Sequence, residues 1–181
     1  MTRSEAISLI VNAELAALTE GERDSLLLDW WTIDEEDEDF SELPESLRTE
    51  LKRSDEPDGT RKPHYDALLR VALRRIFVGV RNEYLSNRIL DLGYSAPVEG
   101  EIEVLEICPC CGFRTLTERG GYEICKVCLW EDDGSYDPDR LSVPNRMTLR
   151  EARENFSQLG AMSEKAVANV LSDGAVRYER G

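Results

Sequence analysis

The sequence has little of the equipment that most enzymes use. It contains one histidine, His64, which follows Pro63 and has no nucleophilic residue beside it. A single histidine supplies little for histidine-based acid–base catalysis. The chain also contains no phosphate-binding glycine loop, nucleophile elbow or catalytic zinc motif. We therefore expect a protein that is not an enzyme, and we interpret His64 as a surface residue.

Long hydrophobic runs are missing as well. No stretch of about 18 or more apolar residues occurs, so the sequence predicts no membrane span. The N-terminal segment has no long apolar core and no cleavage-like site, so we expect no signal peptide. These absences predict a cytoplasmic protein. In a reducing compartment, clustered cysteines indicate metal binding more readily than disulfide bonds.

Basic residues are scarce relative to acidic ones. The chain has 22 Lys and Arg against 37 Asp and Glu, which gives a formal net charge of −15. Such a chain repels phosphate backbones, and we do not expect it to bind nucleic acid without a local basic patch. The one basic cluster, Arg70 with Arg74 and Arg75, is interpreted as a helix surface on which Arg74 and Arg75 pair with the surrounding acids. A basic protein, by contrast, would be attracted to this chain.

The first half of the chain has the spacing of helices. Thr2 and Glu5 form a capping box ahead of apolar residues at helical intervals. The stretch GERDSLLLDWWTI predicts a second helix, and Pro44 opens a third. A longer helix is predicted through HYDALLRVALRRIFVGVRNEYLSNRILDLG, where Gly79 kinks it or splits it in two. Gly93 is predicted as its C-terminal cap.

The second half begins after the linker YSAPVEGE. The run IEVLEI has the pattern of a short strand. Thr148 and Glu151 predict a capped helix that ends at Gly160, and Ser163 caps a further short helix. We expect a loose tail after Asp173.

The predicted fold is therefore mainly α, with an N-terminal helical bundle and a small β zinc ribbon. The expected domains are a helical domain over residues 1–94 and a zinc-ribbon domain with C-terminal helices over residues 101–174.

Four of the five cysteines form two close pairs. Cys108 and Cys111 are separated by two residues, as are Cys125 and Cys128, and thirteen residues lie between the pairs. This is the four-thiolate spacing of a zinc ribbon. Four protein ligands close a tetrahedron and leave no position for water, so the sequence predicts one structural zinc ion. Disulfide pairing is the alternative.

The residues around the pairs suit this interpretation. Pro109 and Gly112 favour a tight turn that aims both thiolates at one ion. The runs RTL and YEI on either side of ERGG predict a hairpin that returns the second pair to the first. Cys110 is expected to point away from the metal as a small apolar side chain, with a redox thiol as the alternative. Metal binding is worth on the order of 10 kcal/mol to a domain of this kind.

The stretches CPCCGFRTL, GGYEICKVCLWEDD and PNRMTLREARENF resemble the cysteine-rich CPCC family of bacterial proteins. The resemblance covers Cys108 to about Ala161. Lys126 stands where the family usually has a proline, which leaves the four ligands unchanged. The stretches LLLDWW and RNEYL in the first half also resemble longer members of the family. The resemblance implies a zinc-binding module, and members of this kind look like small companions of bacterial toxins.

Acidic side chains next to tryptophans are the candidate partner surface. The run DEEDED follows two tryptophans, and WEDDGSYD follows the second cysteine pair. Of Trp30 and Trp31, one is expected to enter the core, and the other to anchor an interface. The plainer interpretation of both acidic runs is a solvated loop, and DEEDED is also a weak magnesium candidate. The candidate partner-binding residues are Trp30, Trp31, Asp34, Glu35, Glu36, Asp37, Glu131, Asp132 and Asp133.

Three functions remain open at this point. The first is an acidic zinc-binding interaction protein, such as an immunity protein that neutralises a cognate bacterial toxin by occupying its basic site. The second is a nucleic-acid-binding zinc-ribbon regulator, against which the sign of the charge counts. The third is an enzyme that uses carboxylates and a second metal ion. The first is the prediction that composition, charge and resemblance favour together.

Overall fold

Helices account for most of the regular structure, and the strands are short. A computed structural model describes residues 1–60 and 62–181. The fold is mainly α with two two-stranded sheets, as predicted. The α-helices are α1 (Arg3–Ala17), α2 (Glu20–Trp30), α3 (Glu45–Leu51), α4 (Asp66–Arg75), α5 (Asn82–Asp91), α6 (Leu149–Leu159) and α7 (Gly174–Arg177). The strands are β1 (Glu106–Ile107), β2 (Arg114–Leu116), β3 (Leu141–Ser142) and β4 (Met147–Thr148), and 3-10 helices span Glu38–Glu42, Pro63–Tyr65 and Glu164–Asn169.

Reciprocal side-chain caps define where three of the helices begin. In each, a threonine hydroxyl accepts from a backbone N–H three residues later, and a glutamate there accepts from the threonine's own N–H. These contacts satisfy backbone donors that a helix start leaves without partners. The capping boxes at the starts of α1 and α6 were predicted and are confirmed, and the capping box of α2 was missed. The pairs are Thr2 with Glu5, Thr19 with Glu22, and Thr148 with Glu151.

The long helix predicted from His64 to Gly93 is two helices. The α4 helix ends at Arg75, and α5 begins at Asn82. Between them Gly79 has a left-handed φ of 73°, and a Cβ at this position would lie 2.3 Å from Leu105 Cδ1. Only glycine meets both conditions without strain. The alternative in which Gly79 splits the helix is therefore confirmed.

The chain divides into two units. The first comprises Met1–Val78 and Leu85–Gly100, and the second comprises Gly79–Tyr84 and Glu101–Gly181. The domain boundaries expected from the sequence, 1–94 and 101–174, stay a prediction.

The core of the first unit is built around Trp31 and Tyr65. Both are buried, and their rings meet edge to face with centroids 5.4 Å apart. Each also satisfies its polar group, since Trp31 Nε1 donates to the Ser54 carbonyl at 2.8 Å and the Tyr65 hydroxyl donates to Glu50 Oε1 at 2.5 Å. Burial and the contact with Glu50 raise the pKa of Tyr65 to about 12. The paired aromatic rings thus connect the end of α2 to the start of α4, and their hydrogen bonds to Ser54 and Glu50 attach α3 and the residues after it.

The run DEEDED is anchored on α4 through two of its aspartates. Arg74 Nη2 lies 2.5 Å from Asp39 Oδ1, and Arg75 Nη2 lies 2.6 Å from Asp37 Oδ1. Arg74 also binds Glu42 at 2.7 Å. The expected pairing of these arginines with acids is therefore confirmed. The ion pairs offset the repulsion that adjacent carboxylates would otherwise feel.

The small sheets of the second unit have a different pairing from the predicted one. The strand RTL pairs antiparallel with β1, with Ile107 opposite Arg114, and does not pair with the YEI segment. Ile124 instead bridges Glu131 on the far side of the second cysteine pair. The predicted hairpin was wrong because each cysteine pair reverses the chain, and each therefore makes its own short hairpin.

The tail after Asp173 is ordered, so the expectation of a loose tail was wrong. It forms α7 and then a stretch that runs beside the first cysteine pair. Arg114 N donates to the Glu179 carbonyl, and Gly181 N donates to the Gly112 carbonyl, both at 2.9 Å. Tyr178 is 1% exposed. Burial of this large side chain gives the tail an apolar anchor that its backbone bonds then align.

We expect Trp31→Ala to lower the free energy of unfolding by about 3–5 kcal/mol, the usual cost of truncating a buried tryptophan. Trp30→Ala is the matched control, because Trp30 is only half-buried and should cost clearly less. Chemical denaturation followed by far-ultraviolet circular dichroism measures both. Equal losses for the two variants would contradict the assignment of Trp31 to the core.

Candidate metal centre

The four cysteines of the two pairs meet at one point. Their sulfur atoms all lie within 4.8 Å of one another, and all four residues are buried. Cys108 Sγ lies 3.6 Å from Cys128 Sγ, and Cys111 Sγ lies 3.5 Å from Cys125 Sγ. The cysteines form no disulfide bond. The structure thus brings together the residues that the sequence predicts as ligands.

The first knuckle is a tight turn held by two backbone hydrogen bonds. Gly112 N donates to the Cys108 carbonyl at 2.9 Å, and Cys108 N donates to the Phe113 carbonyl at 2.8 Å. Gly112 has a left-handed φ of 77°. The turn requires this backbone conformation directly after Cys111, and glycine adopts it without steric cost.

The second knuckle repeats the first, residue for residue. Leu129 N donates to the Cys125 carbonyl at 2.9 Å, and Cys125 N donates to the Trp130 carbonyl at 2.8 Å. Leu129 occupies the position of the glycine and has a φ of 64°. A left-handed leucine costs of order 1–3 kcal/mol, so the surrounding contacts must hold it there. Nothing in the sequence marks Leu129 as strained.

Cys125 is the sulfur with the most hydrogen-bond donors. The Thr115 hydroxyl lies 3.0 Å from Cys125 Sγ, and Val127 N lies 3.4 Å from it. Contact with the Cys108 thiol, followed by contacts with the other cysteines, lowers the pKa of Cys125. Thr115 is fully buried on β2. It is a supporting residue that sequence reasoning missed, because only the register of β2 brings it to the sulfur.

The other thiols oppose further ionisation. Contacts with the neighbouring thiols, that with Cys108 first, raise the pKa of Cys111 and of Cys128. Four enclosed thiols cannot all lose a proton unless a cation compensates the charge. A divalent ion would supply that charge, and thiolates are ligands for soft or borderline metals. The four residues therefore fit a single metal ion.

The distances suit a tetrahedral ion. Metal–sulfur bonds of about 2.3 Å in a tetrahedron place sulfurs about 3.8 Å apart. The two short sulfur–sulfur distances of 3.6 and 3.5 Å lie close to this value. Four such ligands leave no open position, so a metal held here supports the fold and does not bind substrate.

Two further buried side chains lie beside the ligands in the sequence, Cys110 and Trp130. Cys110 lies outside the four-sulfur cluster, but its thiol contacts that of Cys128, so the expectation that it points away from the metal stays a prediction. Trp130 is 1% exposed, and its carbonyl accepts from Cys125 N at 2.8 Å. Its Nε1 has no hydrogen-bond partner within residues 1–60 and 62–181. Both side chains thus serve as apolar filling around the sulfurs.

Arginines and α6 surround the knuckles. Arg153 of α6 donates from Nε to the Pro109 carbonyl at 2.9 Å, and the Arg180 guanidinium lies 5.7 Å from the centre of the Phe113 ring. After α6, Met162 N donates to the Cys128 carbonyl at 2.8 Å. Four thiolates around a divalent ion carry net negative charge, which nearby arginines help to balance. Contacts of this kind also fix the orientation of the ligands.

Of the acids that follow the second cysteine pair, Asp132 is not on the surface. It is fully buried, and its carboxylate accepts from Arg119 Nε at 2.7 Å, from Arg119 Nη2 at 3.2 Å and from Gly120 N at 2.7 Å. The prediction of Asp132 as a partner-binding residue was therefore wrong. Its neighbours Glu131 and Asp133 are half-buried, and Asp133 Oδ1 accepts from Ser135 N at 3.1 Å.

The candidate surface of the first unit is partly available. Trp31 is buried in the core, so its prediction as a partner-binding residue was wrong. Trp30 is half-buried and lines a shallow cavity of about 310 Å³ together with Asp34 and Asp37. Asp34, Glu35 and Glu36 are exposed, whereas Asp37 is half-buried against Arg75. One tryptophan in the core and one at the surface is the division that the sequence predicted.

Comparison with protein families identifies the segment that contains the metal centre. Residues 106–175 match the family described as Cysteine-rich CPCC. The matched segment is similar to that family, and we call residues 106–175 the CPCC module. No curated protein and no solved structure matched the chain. Within residues 1–60 and 62–181, no helix is both long enough and apolar enough to cross a membrane.

The CPCC module includes both knuckles and α6. The matched segment ends at residue 175, so the last part of the tail lies outside it. That part nevertheless packs on the first knuckle through Gly181 N and the Gly112 carbonyl. The CPCC module therefore receives support from tail residues that the family match does not include.

We expect Cys125→Ser to lose the stoichiometric metal and to unfold the CPCC module, because metal binding contributes on the order of 10 kcal/mol. Cys110→Ala is the matched control, and it should retain one metal ion per chain with a stability change of about 1 kcal/mol. Elemental analysis after gel filtration, with near-ultraviolet circular dichroism, measures both quantities. Metal retained by the Cys125 variant, or lost from the Cys110 variant, would contradict this ligand set.

We expect Asp132→Ala to destabilise the CPCC module by about 2–3 kcal/mol, because it leaves Arg119 and Gly120 N without their acceptor. The figure lies below that for a fully buried pair because the Arg119 side chain is 21% exposed. Glu131→Ala should change stability by less than about 0.5 kcal/mol. Thermal denaturation of the metal-loaded protein compares them, and similar melting temperatures would refute a structural role for Asp132.

Proposed function

We propose that this chain is an acidic zinc-binding interaction protein. In this proposal it neutralises a basic partner, most plainly a cognate bacterial toxin, by protein–protein binding. The observation that carries the proposal is the closed cluster of four buried sulfurs. Such a site serves as a scaffold, so the function is assigned to the protein surface.

Zinc is the metal that best suits the cluster. Four thiolates in tetrahedral positions are the usual ligands of structural zinc, and zinc has no geometric preference that the protein must satisfy. The free cysteines are consistent with a reducing compartment, which supports a cytoplasmic location for the protein. One zinc ion would bind through Cys108, Cys111, Cys125 and Cys128.

The surface charge supports a basic partner. The net charge of −15 attracts cationic proteins and repels nucleic acid. Exposed Asp34, Glu35 and Glu36 lie beside half-buried Trp30, and Glu131 and Asp133 present carboxylates in the CPCC module. A rigid aromatic side chain next to carboxylates can anchor an arginine or lysine of a partner. The proposed partner surface of the first unit therefore comprises Trp30, Asp34, Glu35, Glu36 and Asp37, and Glu131 and Asp133 are separate candidate contacts in the CPCC module.

Binding is proposed in preference to catalysis for two reasons. A tetrathiolate site has no coordination position for a substrate or an activated water. The single histidine, His64, has its Nε2 2.9 Å from Glu50 Oε2, within the structural cluster around Tyr65. Its position near buried aromatic rings gives it a packing role.

The proposal is tested with the product of the neighbouring gene. The purified chain should contain one zinc ion per molecule, and it should capture that product in a pull-down at moderate salt. Replacement of Asp34, Glu35 and Glu36 by their amides should weaken capture about tenfold or more, while zinc content and melting temperature stay unchanged. Glu154→Gln, on the exposed face of α6, controls for the loss of negative charge elsewhere.

Two outcomes would overturn the proposal. A chain that captures no neighbouring gene product, even when it is fully zinc-loaded, would exclude the inhibitor role. Tight binding of nucleic acid at moderate salt would favour the regulator instead.

A further inference from the structure

A groove in the first unit lies between α1 and α4. Its volume is about 370 Å³, at the small end of the range of about 300–1,000 Å³ for ligand pockets. The apolar part of its wall comprises Ile7 and Val11 of α1, Ala67 and Val71 of α4, and Pro44. The three branched side chains are no more than 8% exposed. The groove therefore presents a narrow apolar floor and not a broad hydrophobic patch.

Polar groups gather at the rim of this groove. Arg70 Nε donates to Asn12 Oδ1 at 3.0 Å, which links α4 to α1. This contact uses one donor of the guanidinium and holds its plane in position. The two Nη groups of Arg70 and the amide nitrogen of Asn12 have no hydrogen-bond partner in the described part of the chain. Donors of Arg70 and Asn12 thus border an apolar floor, and the Glu42 carboxylate that also lines the groove is paired with Arg74 at 2.7 Å.

Arg70 differs from the other arginine of the groove. Arg74 is paired with Asp39 and with Glu42, at 2.5 and 2.7 Å. Arg70 has no carboxylate within ion-pair distance among residues 1–60 and 62–181. Although the chain has a net charge of −15, a guanidinium without a carboxylate partner can attract an anion locally.

We propose that this groove binds a small monocarboxylic acid with an apolar chain. Arg70 donates both Nη groups to the carboxylate, and the Asn12 amide adds a further donor. A planar guanidinium and a carboxylate match in a two-bond geometry, and charge-assisted hydrogen bonds are about twice as strong as neutral ones. The apolar chain of the acid lies along Ile7, Val11 and Val71. None of the residues that line the groove is a candidate metal ligand or a member of the proposed partner surface.

The binding test uses hexanoate as the probe on the full, metal-loaded chain. Amide and side-chain chemical shifts of the ¹⁵N-labelled protein should change saturably for residues of α1 and α4. Hexan-1-ol has the same chain without charge, and acetate has the charge without the chain. Each should bind about tenfold or more weakly than hexanoate, because each lacks one half of the recognition.

Two variants separate the proposed contact from general electrostatics. Arg70→Gln should weaken hexanoate binding about tenfold or more, whereas Arg140→Gln, an exposed arginine of the second unit, should leave it unchanged. Asn12→Asp keeps the contact with Arg70 and gives that guanidinium an internal carboxylate. It should weaken hexanoate binding to the same degree without lowering the melting temperature.

The proposal would be overturned by any of three results. These are hexanoate shifts that do not saturate, equal binding of hexanoate and hexan-1-ol, and unchanged binding in Arg70→Gln. Shifts that saturate at residues outside α1 and α4 would likewise assign the probe to another place and exclude the groove.

Discussion

The mutual repulsion of four enclosed sulfur atoms governs the second half of the chain. Cys125 has its pKa lowered by its neighbours, and Cys111 and Cys128 have theirs raised, so the cluster carries its full charge only around a cation. The elements around it attach to the knuckles themselves. Met162 N binds the carbonyl of Cys128, and the tail binds the carbonyl of Gly112. A metal ion held by these sulfurs would therefore couple the folding of this half to metal binding.

In the first unit, the main electrostatic constraint is repulsion among acidic side chains. Its core needs no metal, because Trp31 and Tyr65 bury large rings and satisfy their polar groups internally. The run DEEDED would be unfavourable as an isolated segment, and the pairing of Asp37 and Asp39 with arginines of α4 attaches it to the core. The remaining acids stay exposed. Exposed negative charge is thus a main chemical property of this unit.

The four-cysteine centre leaves no open coordination position, whereas several acidic side chains are exposed, and both observations support a binding function. A metal with four protein ligands cannot take part in chemistry at an open position, so its contribution is mechanical. Asp132 also has a structural role, since its buried carboxylate binds Arg119 and the backbone N–H of Gly120 and is not exposed to solvent. In the proposed function, recognition falls to exposed Asp34, Glu35 and Glu36 next to half-buried Trp30.

Local signals in the sequence predicted the capped starts of α1 and α6, the grouping of the two cysteine pairs and the break at Gly79, because capping boxes, ligand spacing and glycine act within a few residues. Other features depend on contacts between distant residues. The left-handed Leu129, the Thr115 hydroxyl on Cys125 and the burial of Asp132 follow from how the knuckles and strands meet. An aspartate in an acidic run looks solvated from sequence, and only folding around Arg119 removes it from water. Features that depend on neighbouring residues could therefore be predicted from the sequence. Burial of a side chain and its hydrogen-bond partners were determined by tertiary packing, because they depend on residues far apart in the chain.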